Sequence, residues 1–221
     1  VIVRGIIMAN FSFIQTCWPY YLTGLKYTLF VAFLSVVFGL VLGMIFAPMK
    51  ISRRKPLRAV ATCYINFIRG TPMLIQVYLV YYGLATGLPN MVAAILALSI
   101  NCGAYSAEVI RAGIESIDYG QMEAARSLGM SYLKGMRLVV VPQAIKNILP
   151  AMCNEFIATI KSTSIVSTIA IHELMYQSNI VRSISFRSFE PLVVTSLIYF
   201  SVTYILKVLV TRLERRLQVS D

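Results

Sequence analysis

Twenty residues from Tyr27 to Phe46 pass without one charged side chain. That run matches the roughly 20 apolar residues an α-helix needs to cross the hydrocarbon core of a bilayer. It restricts the chain to folds whose backbone polar groups are satisfied within each segment, which here means helices. The pattern recurs along the sequence. Hydrophobic residues make up 58% of the 221 and charged residues only 13%, about half the charged share of a soluble domain. The net charge of +11 would suggest a nucleic-acid partner in a soluble protein. Here the Lys and Arg residues fall between the apolar runs, so no nucleic acid is expected and the charges report topology instead.

Five transmembrane helices are expected. The first runs from Leu22 to Met49, with Trp18, Tyr20 and Tyr21 ahead of it as an interfacial aromatic belt. The second apolar stretch, Ala59 to Leu88, is too long for one simple span and is interrupted by Arg69-Gly70-Thr71-Pro72. Either one helix breaks inside the membrane, or Ala59 to Ile68 lies shallow and Pro72 opens the true span. The third span is Met91 to about Ile110, the fourth about Asn147 to Ile171, and the fifth Pro191 to Val210. A polar segment, His172 to Glu190, separates the last two.

Loop charges orient these spans. The 50–58 loop carries five Lys or Arg, the 111–146 loop five, and the tail beyond the fifth span three. The opposite side has Arg4, Arg182 and Arg187, and none in the Gly83–Asn90 turn. The positive-inside rule puts the first group in the cytoplasm, with the N-terminus outside and the C-terminus inside. Val1 to Gln15 does not read as a signal peptide. Cys17, Cys63, Cys102 and Cys153 are scattered and His172 is the only histidine, so no metal site is expected.

The long cytoplasmic loop has helical signals. Asp118 can cap a helix from Met122 to Leu128, with Gln121 completing a capping box, and Gly129 suits its end. Ser131 can cap a second short helix, Tyr132 to Val140, which Pro142 stops. Leu128, Met130, Leu133 and Met136 need a partner. The pair either packs only on its own bundle or forms a docking knob for a cytoplasmic protein.

Glu123-Ala124-Ala125, Gly129, Val139, Val141 and Pro142 keep the spacing of a known motif. They resemble the EAA motif of ABC importer permeases, with Val139 and Val141 standing for the usual Ile and Leu. Arg69-Gly70-Thr71-Pro72, Asn101-Cys102-Gly103-Ala104-Tyr105, Pro142-Gln143-Ala144 and Asn154-Glu155-Phe156-Ile157 with Lys161-Ser162-Thr163-Ser164 narrow the resemblance. They are similar to the polar amino-acid permeases that carry histidine, arginine or glutamine. The resemblance covers about Leu22 to Leu217. It implies an all-α integral membrane protein with the type I ABC importer transmembrane fold. A single permease domain, 22–217, would follow an extracytoplasmic segment 1–21 and precede a cytoplasmic tail, 218–221. The coupling loop would be about 118–142, and Glu123, Ala124, Ala125, Arg126, Gly129 and Pro142 would engage an ATPase. The implied partners are a second permease subunit (the same chain or a relative), two ABC ATPase subunits, an extracytoplasmic substrate-binding protein and lipid of the bacterial cell membrane. No Gly-x-x-x-x-Gly-Lys-Ser/Thr stretch occurs in the chain, so ATP and Mg would be bound by the ATPase and the chain itself is no enzyme.

Charges inside a span are costly and point to function. Glu155 and Lys161 lie in the fourth span. They bracket the depth where transporters hold substrate. Glu155 could meet an ammonium and Lys161 a carboxylate; alternatively they pair with each other or with Arg69. Asn101 and Tyr105, four apart, share a face of the third span. They either line a cavity or hydrogen-bond between helices. Thr71 and Gln76 follow the break in the second span, where a helix N-terminus could receive a carboxylate. Ser164 completes the substrate-binding set. Glu108 and Arg111 read as a structural pair. The competing reading is a stand-alone secondary transporter or channel subunit. A scaffold or receptor would need no in-membrane Glu155 or Lys161.

Overall fold

A computed structural model describes residues 13–218, without the side chains of residues 216–218. Arg4 and the rest of residues 1–12, and residues 219–221, lie outside the described residues, so the expected terminal segments are covered only in part. Among the described residues all regular structure is helical.

Helix α1, Phe13–Ile51, is 39 residues long, about 58 Å. It therefore includes the aromatic belt residues Trp18, Tyr20 and Tyr21 rather than starting after them. Small residues recur along one side: Gly24, Thr28, Ser35, Gly39, Gly43 and Ala47 are all buried. Gly24 and Thr28 meet the segment at Leu174, whereas Gly39 and Gly43 lie along α4, Asn90–Glu115. A Cβ added at Gly39 would sit 2.7 Å from the Cys102 Cβ, and one at Gly43 would sit 2.6 Å from the Ser106 Cβ. The missing side chains let two backbones approach, which is how helices associate in lipid without a hydrophobic driving force.

The second apolar stretch is two helices. Helix α2, Lys55–Gly70, is amphipathic and buries Ala61, Ile65 and Ile68. Helix α3, Met73–Leu79, runs into a π-helical turn, Val80–Leu84. Between them Thr71 and Pro72 are extended, because the residue before a proline is pushed out of the helical region. The break is stabilised locally: the Gln76 Nε2 donates to the carbonyls of Ile68 at 2.6 Å and Thr71 at 3.0 Å. These carbonyls would otherwise be orphans of the helix end.

Beyond α4 come α5, Tyr119–Ser127, and α6, Tyr132–Gly135. Pro142 does not stop the chain as expected. A π-helical turn, Met136–Val140, takes up the extra residue and α7, Val141–Ser162, continues directly with Pro142 in its first turn. Proline is tolerated there because its missing N–H has no helical partner to lose. The fourth apolar helix thus starts six residues before the expected Asn147 and ends at Ser162. Thr163–Ile169 is 3₁₀-helical. Its hydroxyls bond back three residues: Thr163 to Ile160 at 2.8 Å, Ser164 to Lys161 at 2.8 Å and Ser167 to Ser164 at 2.7 Å. Such back-bonding suits the tighter winding.

The segment 172–190 is not simply a polar connection. It contains α8, Leu174–Ser185, before α9, Glu190–Gln218. Glu173 caps α8, accepting from Met175 N at 2.8 Å, Tyr176 N at 2.7 Å and the Tyr199 hydroxyl at 2.8 Å. Leu174 N donates to the Thr28 hydroxyl of α1 at 3.1 Å. Among these elements α1, α4 and α9 have the length and composition of membrane spans; Met73–Leu84 is apolar but shorter.

Candidate functional site

The break between α2 and α3 faces the middle of α4, and a polar seam forms there. Asn101, Tyr105 and Glu108 follow one another at intervals of four and three along α4, so they share a face. Asn101 Nδ2 donates to Gln76 Oε1 at 2.8 Å, and Gln76 Nε2 donates to the Thr71 hydroxyl at 2.8 Å. The Arg69 guanidinium lies over the Tyr105 ring, 5.3 Å from its centre. Its Nη1 is 3.7 Å from Glu108 Oε1. Thr71, Gln76 and Asn101 are hydrogen-bonded together, and Tyr105 meets Arg69, two residues before Thr71.

Glu155 belongs to the same region through charge. Arg69 is the cation whose field reaches it. Its carboxylate has no ion pair within 4.0 Å and no hydrogen bond among the described residues. It is half-buried on α7. Pairing with Lys161 is not what the structure has: Lys161 is exposed, near the end of α7. The Ser164 hydroxyl is engaged with the Lys161 carbonyl. Lys161 and Ser164 are therefore not brought to the seam.

Glu108 and Arg111 form the pair read from their spacing, at 2.7 Å. The sequence did not show that Lys50 also meets Glu108, at 2.8 Å. It lies 58 positions away on another helix, beyond any local pattern. The wholly buried Glu173 was also missed. Its signal was the loop residue itself, a carboxylate placed immediately before a helix.

The second cluster is the hairpin of α5 and α6. Asp118 Oδ1 accepts from Gly120 N at 2.6 Å, but the Gln121 side chain meets Gln143 rather than closing a capping box. Gly129 takes φ +81°. Gly129 N bonds to Arg126 O at 3.0 Å and Met130 N to Ala125 O at 3.1 Å, the two bonds of a Schellman end. Ser131 Oγ accepts from Lys134 N. Met122 and Ala125 pack on Gly135, where a Cβ would come 2.8 Å from the Met122 Sδ. Glu123, Ala124 and Arg126 point outward. Leu128 and Leu133 are 80% and 77% exposed.

Residues 39–219 match the family model of the binding-protein-dependent transport system inner membrane component. The chain belongs to this family. It is 39% identical over 207 residues to the arginine transport system permease protein ArtQ of Bacillus subtilis (strain 168), covering 92% of this chain and 94% of that one. It is 35% identical over 210 residues to the L-cystine transport system permease protein TcyB of the same organism, covering 92% and 88%. Among solved structures, an amino acid ABC transporter with histidines aligns with a TM-score of 0.90 at 45% identity, over 95% of this chain and 99% of that one. A chain of the inward-facing MetNI methionine ABC transporter shares the fold, with a TM-score of 0.76 at 17% identity, over 90% and 97%. The expected type I ABC importer transmembrane fold is the fold observed. The chain is a membrane-embedded transport permease.

Proposed function

We propose that this chain is the permease subunit of an ATP-driven importer that moves a polar or charged amino acid into the cell. The observation that carries the reading is the seam at the α2–α3 break. There the field of Arg69, whose guanidinium stands 3.7 Å from Glu108, reaches Glu155, a half-buried carboxylate with no ion pair within 4.0 Å. A free amino acid offers the complementary ammonium and carboxylate. Buried or half-buried charge in a membrane protein persists where it serves a pathway. The identity to permeases named for arginine and cystine supports the same cargo class.

ATP hydrolysis belongs to separate ATPase subunits in this reading. The α5–α6 hairpin, with Leu128 and Leu133 uncovered beside the outward Glu123, Ala124 and Arg126, is the surface they engage. A second permease subunit and an extracytoplasmic binding protein complete the assembly. The Lys and Arg distribution places the hairpin and the C-terminus in the cytoplasm and the N-terminus outside.

Glu155→Gln tests the site. Uptake and thermal stability of the assembled importer are measured side by side over a panel of amino acids. A stable complex with weakened uptake supports a substrate role. A stable complex with undiminished uptake across the panel refutes it. A complex that no longer assembles assigns Glu155 to the internal charge balance with Arg69.

A further inference from the structure

Three cations converge on one carboxylate where the C-terminal ends of α1 and α2 approach the C-terminal half of α4. Glu108 holds Lys50 at 2.8 Å and Arg111 at 2.7 Å, both in direct hydrogen-bond range. Arg69 stands farther off at 3.7 Å. Arg111 also reaches Glu115 one turn on. Glu108 is 20% exposed, whereas Arg69 is 42% exposed. The three contacts are therefore unequal. If Arg69 turns away, Glu108 keeps two close cations and no carboxylate is left uncompensated, so release of Arg69 carries little of the usual penalty for breaking a partly buried pair. Loss of Lys50 or Arg111 would break a short, charge-assisted hydrogen bond.

From this asymmetry we infer that Glu108 is a positioning residue for Arg69: it parks the guanidinium beside the Tyr105 ring and yields it to the carboxylate of an incoming amino acid. The Tyr105 face, 5.3 Å from the guanidinium carbon, supplies the second side of the parking place. Cation–π attraction restrains the plane of Arg69 without competing for its donors in the way an anion does. Glu155, which the field of Arg69 reaches, is left for the ammonium. Substrate arrival would then loosen the tie between the α2 end and α4 while leaving the α1–α4 tie through Lys50 intact. The inference rests on the proposed amino-acid site and adds which residue orients its cation.

The test is equilibrium binding to the assembled permease–ATPase complex without binding protein. The probes are L-arginine and L-glutamine, each against its carboxamide, which lacks the anionic end. Wild type should bind at least one acid better than its amide. Glu108→Gln should reduce that preference by about fivefold, the upper end for a partly exposed ion pair, with the amide's affinity unchanged. Glu108→Asp, which keeps the charge, should restore most of the preference. If Glu108→Gln fails to assemble, the double variant Lys50→Met with Glu108→Gln removes the close pair together, leaves Arg111 with Glu115, and should show the same loss. Arg69→Gln separates the two levels. If it abolishes the preference while the Glu108 variants keep it, the positioning role is wrong and the site stands. If Arg69→Gln also keeps the preference, or wild type shows none, both readings fall. A merely structural Glu108 would lower stability and leave the acid-to-amide ratio of the surviving complex unchanged, which overturns the inference.

Discussion

Replacing Glu173 by alanine should be among the most damaging single changes in the bundle. The side chain is fully buried and accepts three hydrogen bonds, two from backbone groups opening α8 and one from the Tyr199 hydroxyl of α9. Loss of an N-cap costs about 1–2 kcal/mol. A stranded hydroxyl adds at least about 1 kcal/mol. The sum is about 3 kcal/mol. Glu173→Gln should cost about half as much: its carbonyl still accepts one bond, and its NH₂ must face either a backbone N–H or a hydroxyl that can turn to accept. Tyr199→Phe should cost about 1 kcal/mol. Thermal unfolding of the purified protein in nanodiscs gives the comparison. The double variant Glu173→Ala with Tyr199→Phe should cost less than the sum, because the hydroxyl stranded by the first change is removed by the second. A Glu173→Ala protein within 1 kcal/mol of wild type, or strict additivity in the cycle, would refute this account of the α8 cap.

Gly43→Val should destabilise the α1–α4 contact by about 2–3 kcal/mol, the usual cost of overpacking, since a Cβ there already meets Ser106 at 2.6 Å; a melting temperature equal to wild type would contradict the close approach. Gly129→Val should impair ATPase docking through backbone strain of about 1–2 kcal/mol, because φ is +81° while the space around it is open. Gly129→Asn should be tolerated, and equal substrate-stimulated ATP hydrolysis in both variants would argue against the strain. Single cysteines in 50–58 and 111–146, in a background lacking the four native cysteines, should be labelled only from the cytoplasm and those in 85–90 only from outside. Labelling of 85–90 and 111–146 from one side would defeat the proposed topology.

The long apolar helices were legible because lipid imposes one-dimensional rules: length, apolarity and charge placement. The hairpin was legible because its ends are written in local chemistry, Asp118, Gly129 and Ser131, each of which does the turn work its type suits. Helix α8 was hidden because its inner face is Leu174, Gln177, Ser178 and Val181. Two of those four positions are polar, so the run of apolar residues at helical spacing is interrupted; Ser178 and Thr195 share a hydrogen bond of 2.7 Å. Pro142 misled for a related reason. A proline need not end a helix, as Pro19 and Pro48 inside α1 and Pro150 inside α7 show, and before Pro142 a π-helical turn takes up the mismatch. At the seam, the break marks Thr71 and Gln76, and spacing on one helix face marks Asn101 and Tyr105. Lys161 was chosen for its depth along α7 alone. Which way a side chain faces depends on the neighbours that cover it, and here they leave Lys161 outward.

The absorbed proline has a mechanical consequence. From Tyr132 to Ser162 the backbone is helical at every residue, with no loop between the hairpin and the middle of α7. Glu155 lies 23 positions from Tyr132, about 35 Å along this rod. A torque or push delivered at Ser131 has no slack segment in which to dissipate. It reaches the open carboxylate as a tilt or rotation of one lever, with the widened turn at Met136–Val140 and Pro150 inside α7 as its built-in points of yield.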